Sequence, residues 1–503
     1  MPKAIRAILT VAIMLAAFMQ TLDTTIANVA LPYMQGSMSA SQDEINWVLT
    51  SYLVAAAIMT APTGFLAARF GTSRVFVMAI IGFTLSSALC GMARSLDEIV
   101  FFRLLQGMCG AALVPLSQSV LFDIYPVEQR ASAIAMWGTG VMTGPVIGPI
   151  IGGWLTQNYS WRWVFYLNIP FGIAAAIGLI VFLKDAPRSR TLRLDWIGFA
   201  SLSLAIGAFQ TLLDRGETLD WFSSHEIIIE TCLAGLGLYI FLVQTALSPK
   251  PFLSPAMFAD TNFVVGIILI AVNGLIMFAT LALLSPYLEE LMNYPGLTAG
   301  IVLAPRGVGI ILASIVSARL LARTGARPLV AFGLLTGVYA LYQIISWTPD
   351  ISESSVLIAG FIQGISIGFT AMPLNISTFS TLPAALRTEA TGIFALMRNI
   401  GSALGISVTG AILESGIQAN HAILAANVTP FNRNLQSGAA AHFWNAATSQ
   451  GAAALDGVIT RQASIIAYND DFRLMLMLIA ASVPLAWLLR PERPVITISA
   501  HAE

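Results

Sequence analysis

Fourteen stretches of the sequence each run for about twenty residues with almost no charge, and that repetition constrains the fold more than any motif. They lie at approximately 7–32, 46–68, 74–93, 98–122, 133–156, 163–183, 195–213, 225–247, 262–288, 297–322, 328–347, 354–378, 389–413 and 472–490. A helix needs about 20 apolar residues to cross a hydrocarbon core of about 30 Å. In lipid every backbone N–H and C=O must be satisfied within the segment, which favours helices. Composition agrees: 57% of the chain is hydrophobic and 10% is charged, where a soluble domain carries about 25%. The sequence therefore predicts an all-α polytopic membrane protein of 14 transmembrane helices.

The same numbers exclude other classes. A net charge of −1 gives no basis for nucleic-acid binding. Cys90, Cys109 and Cys232 lie far apart in apolar runs and read as small core residues, and the four histidines have no metal-ligand spacing. No phosphate-binding loop and no ordered nucleophile–base set is present, so neither an enzyme nor an ATP-driven pump is expected. The run after Lys3 and Arg6 exceeds the roughly 7–15 apolar residues of a signal peptide and reads as the first spanning helix.

Basic residues set the orientation. With the N-terminus inside, 16 Lys and Arg residues fall in cytoplasmic segments and 6 in outer ones, with 3 of the 25 inside spanners. The positive-inside preference selects this topology, and an even number of spanners puts both termini in the cytoplasm. The outer segment 414–471 is the one long connection. It reads either as a tethered amphipathic helix over the mouth or as a docking surface.

The chain repeats internally. "GFLAARFGTSR" (Gly64 to Arg74) follows spanner two, and "SARLLARTGARP" (Ser317 to Pro328) follows spanner ten. Arg69-x-Gly71 matches Arg323-x-Gly325, each at a tight cytoplasmic turn, and Gly64, Arg69, Gly71 and Arg74 form the candidate gating turn. Spanners five and thirteen are both glycine-rich. Six helices, a two-helix insertion and six more give the domains 1–190, 191–258 and 259–503, the last including 414–471. Repeats of this kind are typical of secondary transporters, whose substrate site lies between the halves.

These motifs in this order resemble the major facilitator superfamily, and within it the fourteen-spanner drug/proton antiporters of the EmrB/QacA group. The carriers are "LDTTIANVALP" in spanner one, "FFRLLQG" (Phe101 to Gly107), "GPVIGPIIGG" (Gly144 to Gly153) and "SWRWVFYLNIPFG" (Ser160 to Gly172). "LLDRGETLDWFSSHEI" and "PFNRNLQ" also resemble its EmrB branch. The resemblance covers nearly the whole chain. It implies a major facilitator fold of 6+2+6 helices in a bacterial inner membrane. It further implies proton-driven multidrug efflux by alternating access, with no cofactor beyond the proton gradient. Partners implied are small hydrophobic drugs, a periplasmic membrane-fusion adaptor (EmrA-like) and an outer-membrane channel. Ala68 departs from the group, which usually has an acidic residue there to lock the cytoplasmic side.

The candidate site residues are the polar groups inside the spanners. An ionised carboxylate deep in lipid costs at least roughly 2.5–3.5 kcal/mol, so Asp23 requires a partner or water. Asp23 and Arg103 are expected at comparable depth, facing a central cavity. There they either couple proton movement or simply pin helices one and four together. Gln20 lies three positions before Asp23 on the same helical face. Arg306 is a candidate cavity residue, and Arg398 is expected to pair with a helix end or with Glu389. Asn28, Gln118, Asn273, Gln363 and Asn375 are single polar positions that serve as ligand contacts or interhelical hydrogen bonds. In spanner five, Gly140, Gly144, Gly148 and Gly152 recur every four residues and predict close packing, with Pro145 and Pro149 as hinge candidates. The same residues also admit a dedicated exporter of one metabolite or lipid-like compound, or a membrane sensor without transport.

Overall fold

Runs of apolar residues with no internal charge leave the backbone one way to satisfy itself in lipid, and the chain takes it almost throughout. The structure is a computed structural model and describes residues 2–183, 195–249, 251–348, 351–383, 386–426, 428, 444 and 448–490. Among them there are helices and no strands. In the first half these are α1 (Lys3–Met38), α2 (Gln42–Thr60), α3 (Thr63–Phe70), α4 (Thr72–Met92), α5 (Leu96–Gly110), α6 (Leu113–Ile124), α7 (Val127–Asn158), α8 (Trp163–Tyr166) and α9 (Asn168–Phe182). The insertion supplies α10 (Trp196–Arg215) and α11 (His225–Leu247). The second half is α12 (Thr261–Pro286), α13 (Gly296–Thr324), α14 (Ala326–Ile345), α15 (Glu353–Ser380), α16 (Arg387–Ala426) and α17 (Ser449–Ala486).

Among the described residues twelve helical runs are long and apolar enough to cross a membrane, and α2 with α3, bent by 55° at their junction, supplies a thirteenth. The expected fourteenth, 472–490, lies in α17. That helix ends at Ala486 and carries Asp470, Asp471 and Arg473 where the apolar run begins, so its hydrophobic stretch is short.

The segment 414–471 differs from its expected form. Among its described residues α16 continues to Ala426 and α17 begins at Ser449, so both flanking helices extend into the expected loop. His421 Nε2 lies 2.9 Å from Asp456 Oδ1 and joins the two extensions. Residues 429–443, which include "PFNRNLQ", lie outside the described residues.

α1 packs on α7 and α9, α2 on α5, and α4 on α5 and α9. In the second half α12 packs on α16, α13 on α15, and α14 on α15 and α17. α10 bridges the two through α2 and α16. α11 leaves Leu236, Tyr239, Leu242 and Leu247 exposed, as suits a helix in contact with lipid.

The matched turns share a conformation. Gly71 at φ 98° and Gly325 at φ 76° each end one helix and begin the next, in a region that side chains with a Cβ rarely adopt. The two halves meet at the end that carries these turns. A Cβ on Gly64 would stand 2.6 Å from Glu389 Cα, so α3 and α16 touch backbone to backbone. Gln118 Nε2 donates to Asn375 Oδ1 at 3.0 Å, and the Phe122 and Phe379 rings meet edge to face at 5.7 Å. Ala135 packs into a small cluster with Leu321, Leu329 and Met372.

The seam between α3 and α16 is directly testable. A Cβ at 64 would also stand 3.0 Å from the Glu389 backbone nitrogen, so no side chain fits there without parting α3 from α16. Gly64→Ala is expected to reduce export, and Glu389→Ala is not expected to rescue it, because the clash is with backbone. Full export by Gly64→Ala would show that these helices need not touch at this end.

Candidate functional site

α1 carries Asp23 near its middle, fifteen residues before Met38, which places it about 22 Å from the helix end at 1.5 Å per residue. This is deeper than the sequence implied, because α1 continues past Pro32. α5 brings Arg103 to the same level. Arg103 Nη1 lies 2.6 Å from Asp23 Oδ2, and the two residues are 1% and 0% exposed.

Both charges are satisfied by a closed set of partners. Gln106 Nε2 donates to Asp23 Oδ1 at 2.9 Å, and Asn168 Nδ2 donates to the same oxygen at 2.8 Å. Arg103 Nη1 also donates to Gln106 Oε1 at 2.8 Å, and its Nε donates to the Val48 carbonyl at 3.1 Å. The guanidinium stacks 4.2 Å over the Tyr52 ring. Asn168 Nδ2 further donates to Ser87 Oγ at 3.0 Å. Four helices, α1, α4, α5 and α9, thus share one charge centre, with the α2 backbone as a fifth contributor. A buried ion pair survives when its remaining donors and acceptors are filled, as here. The pair is enclosed within the first half and does not line an open cavity, which differs from the expected placement.

The sequence reading missed Gln106, Asn168, Ser87 and Tyr52. Two of them lie inside motifs already singled out: Gln106 in "FFRLLQG", three residues after Arg103 and so on its face, and Asn168 in "SWRWVFYLNIPFG". Ser87 and Tyr52 are ordinary small and aromatic spanner residues, and no local signal marks them.

The other candidates scatter. Gln20 lies one turn before Asp23, and its Oε1 has no hydrogen-bond partner. Asn28 is exposed. Gln118 and Asn375 are brought together and bridge the halves. Asn273 and Gln363 line a cavity of about 20 Å³ between α12, α14, α15 and α17, room for about one water molecule. Arg306, 6% exposed, donates from Nη2 to the Met277 carbonyl at 2.8 Å and leaves Nη1 without a partner. Arg398 does not pair with Glu389; that carboxylate accepts the Ser254 N–H at 2.7 Å. The Arg398 side chain instead lies against Gly274 of α12. No carboxylate among the described residues pairs with Arg306 or Arg398.

The glycine face of α7 packs as expected. Cβ atoms on Gly140, Gly144 and Gly152 would lie 3.0, 2.5 and 2.8 Å from Met14 Cε, Thr21 Oγ1 and Ile26 Cγ1, and one on Gly148 would strike Thr25 Oγ1. Thr21 Oγ1 donates across the seam to the Val141 carbonyl at 3.0 Å. α7 runs unbroken through Pro145, and the side chain of Pro149 lies outside the described residues. At the gating turn Arg69 lies 5.9 Å from the Phe70 ring centre, and Arg74 is exposed in the first turn of α4. Ala68 is exposed, while an acidic residue of the opposite half, Glu389, stands against Gly64.

Comparison with known proteins agrees with this architecture. The sequence profile of the Major Facilitator Superfamily matches residues 13–406. The chain is 34% identical over 487 residues to the multidrug export protein EmrB of Escherichia coli (strain K12), spanning 96% of this chain and 95% of that protein. It is 35% identical over 486 residues to the fatty acid resistance protein FarB of Neisseria gonorrhoeae, spanning 96% of each. Among solved structures, the proton:xylose symporter XylE superposes with a TM-score of 0.61 at 14% identity, over 97% of this chain and 100% of that one. The human organic anion transporter MFSD10 superposes at 0.60 with 15% identity, over 95% and 100%. With the profile matched across most of its length and two relatives this similar over nearly all of theirs, the chain belongs to the major facilitator superfamily, among its EmrB-type members.

Proposed function

We propose that the protein is a proton-driven multidrug exporter of a bacterial inner membrane, working by alternating access. The observation that carries this reading is the enclosed Asp23–Arg103 pair at mid-helix depth. A transporter fold has little reason to bear the cost of such a pair unless the charge is used. In this arrangement Asp23 accepts three hydrogen bonds, one of them from a guanidinium. Separation of α1 from α5 removes the guanidinium, and the carboxyl then takes a proton. The contacts at the Gly71 and Gly325 end supply a closed state of one side, and their opening supplies the other. The energy source is the proton gradient, with no cofactor. Both termini lie in the cytoplasm. The extended ends of α16 and α17 are the docking surface for a periplasmic membrane-fusion adaptor that leads to an outer-membrane channel.

A dedicated exporter of one lipid-like compound is the second reading. Arg306 and Arg398 favour it, because two guanidinium groups without carboxylate partners suit an acidic head group. The name of the relative FarB points the same way.

Transport in proteoliposomes under an imposed pH gradient tests both. Export of several chemically unrelated hydrophobic drugs, each accompanied by proton counterflow, is expected. Export of a single compound class selects the second reading, and export without proton counterflow overturns the coupling.

A further inference from the structure

α17 carries a second buried acid that the Asp23 centre does not use. Asp471 is 0% exposed, and neither carboxyl oxygen has a hydrogen-bond partner among the described residues. Tyr468, three residues earlier and on the same helix face, is 3% exposed. Its ring meets Tyr287 edge to face at 5.3 Å, and the Tyr287 hydroxyl is likewise without a partner. One turn further along, Met475 is fully buried, and Thr280 of α12 donates to its sulfur at 3.7 Å. These contacts place Asp471 in the packed interior between α17 and α12, well below the outer end where Arg461 donates to the Leu291 carbonyl.

None of the charged groups on the neighbouring elements supplies Asp471 with a counter-charge among the described residues, and the two nearest, Asp470 and Glu290, are themselves acids. On α17 itself, Asp470 and Arg473 pair with each other at 2.9 Å, both exposed and off the Asp471 face. On the one-turn π-helix Tyr287–Leu291, Glu289 accepts from Ser285 and Glu290 is exposed. On α16, His421 pairs with Asp456 further out, Glu414 lies near Glu217, and Arg398 lies against α12. Arg327, the one charged residue of α14, donates to the Leu489 carbonyl at the opposite end. Asp23 has a guanidinium and two amides, whereas Asp471 has neither cation nor donor among the described residues. A carboxyl in such surroundings takes a proton, because the isolated charge is far more costly than the neutral acid.

We propose that Asp471 is a second proton-binding carboxyl, in the second half of the fold. It is held as the neutral acid while α17 packs on α12 and releases its proton to water when that contact opens. The two halves then hold their acids in different surroundings, Asp23 paired with a guanidinium and Asp471 without a partner among the described residues. The transport role rests on the proton-driven reading above, but the protonation of Asp471 does not.

Two measurements on the full chain test this. In lipid nanodiscs at neutral pH, the infrared C=O band of a protonated carboxyl is expected in the wild type and lost in Asp471→Asn. Asp23→Asn is not expected to remove it. Persistence of the whole band in Asp471→Asn would overturn the site. In proteoliposomes, protons moved per exported molecule are expected to fall by one in Asp471→Asn, and Asp471→Glu is expected to restore the count. Loss of the band with an unchanged proton count would reduce Asp471 to a static neutral acid and overturn its role as a carrier. If the wild type moves no protons at all, the coupling reading fails, and the infrared result alone decides the site.

Discussion

Asp23→Asn is expected to abolish export driven by a pH gradient and to destabilise the folded chain by about 3–5 kcal/mol, the usual cost of leaving one member of a buried ion pair alone. The geometry explains both effects. Asp23 accepts Gln106 and Asn168 on one oxygen and Arg103 on the other. Asparagine has one acceptor oxygen and one NH₂, so at least one of those donors would face another donor. Arg103, 1% exposed, would also lose its counter-charge, with the Val48 carbonyl, the Gln106 amide and the Tyr52 and Phe165 rings left around it and no anion among them.

Stability loss and coupling loss are separable. Asp23→Leu combined with Arg103→Met replaces the pair by apolar side chains, a change that is often neutral or stabilising for buried ion pairs. That double variant is expected to recover most of the thermal stability lost in Asp23→Asn, because no unpaired charge remains. It is not expected to recover proton-linked export, because no titrating group remains at the centre. Thermal unfolding in detergent reads the first effect, and substrate-induced pH change in proteoliposomes reads the second. Normal pH-driven export by well-folded Asp23→Asn would remove this centre from the mechanism.

The depth of legibility differs between fold and site, for physical reasons. Spanning helices are written in composition, since lipid tolerates almost no charge over about 20 residues. Twelve of them, and the bent α2–α3 pair, follow from that alone. α17 eludes the rule because its charges Asp470, Asp471 and Arg473 interrupt the apolar run and its outer half is polar. The ion pair was legible because charges inside spanners are scarce: with Asp23 the conspicuous acid and three arginines available, few pairings existed. Its polar shell was not, because Asn168 reaches Asp23 across 145 residues of sequence and is itself held by Ser87 across 81, separations that carry no periodic signal. Arg398 shows the converse error. Nearness to Glu389 in sequence suggested that carboxylate, or else a helix end, as its partner, yet the glutamate turns to the Ser254 backbone. Asp471 sits at the margin of its span, where sequence reading treats a carboxylate as solvated, and only packing against α12 shows it enclosed.

The second large effect concerns α7. Gly144→Ala is expected to reduce export far more than Gly148→Ala, and Gly140→Ala is expected to leave it near wild type, although all three glycines lie on one face. The difference lies in what each new methyl group meets. At Gly140 it approaches Met14 Cε, the free end of a flexible side chain, at 3.0 Å. At Gly148 it strikes the Thr25 hydroxyl, which can rotate away, so Thr25→Ala is expected to rescue Gly148→Ala. At Gly144 it meets Thr21 Oγ1 at 2.5 Å and the Leu22 backbone nitrogen at 2.8 Å, and backbone cannot rotate aside. Overpacking of this kind costs about 1–3 kcal/mol. The functional cost is larger, because Thr21 and Leu22 immediately precede Asp23 on α1. Forcing the helices apart there moves the carboxylate relative to Arg103 and stretches the Thr21–Val141 hydrogen bond. Removing the Thr21 hydroxyl leaves the Leu22 clash, so Thr21→Ala is not expected to rescue Gly144→Ala. Gly148→Leu, too large for rotation of Thr25 to accommodate, is expected to abolish export while the chain still inserts. The measurements are export in proteoliposomes and the thermal midpoint of each variant. Equal export by the three alanine variants, or full export by Gly148→Leu, would show that the α1–α7 seam does not govern the charge centre.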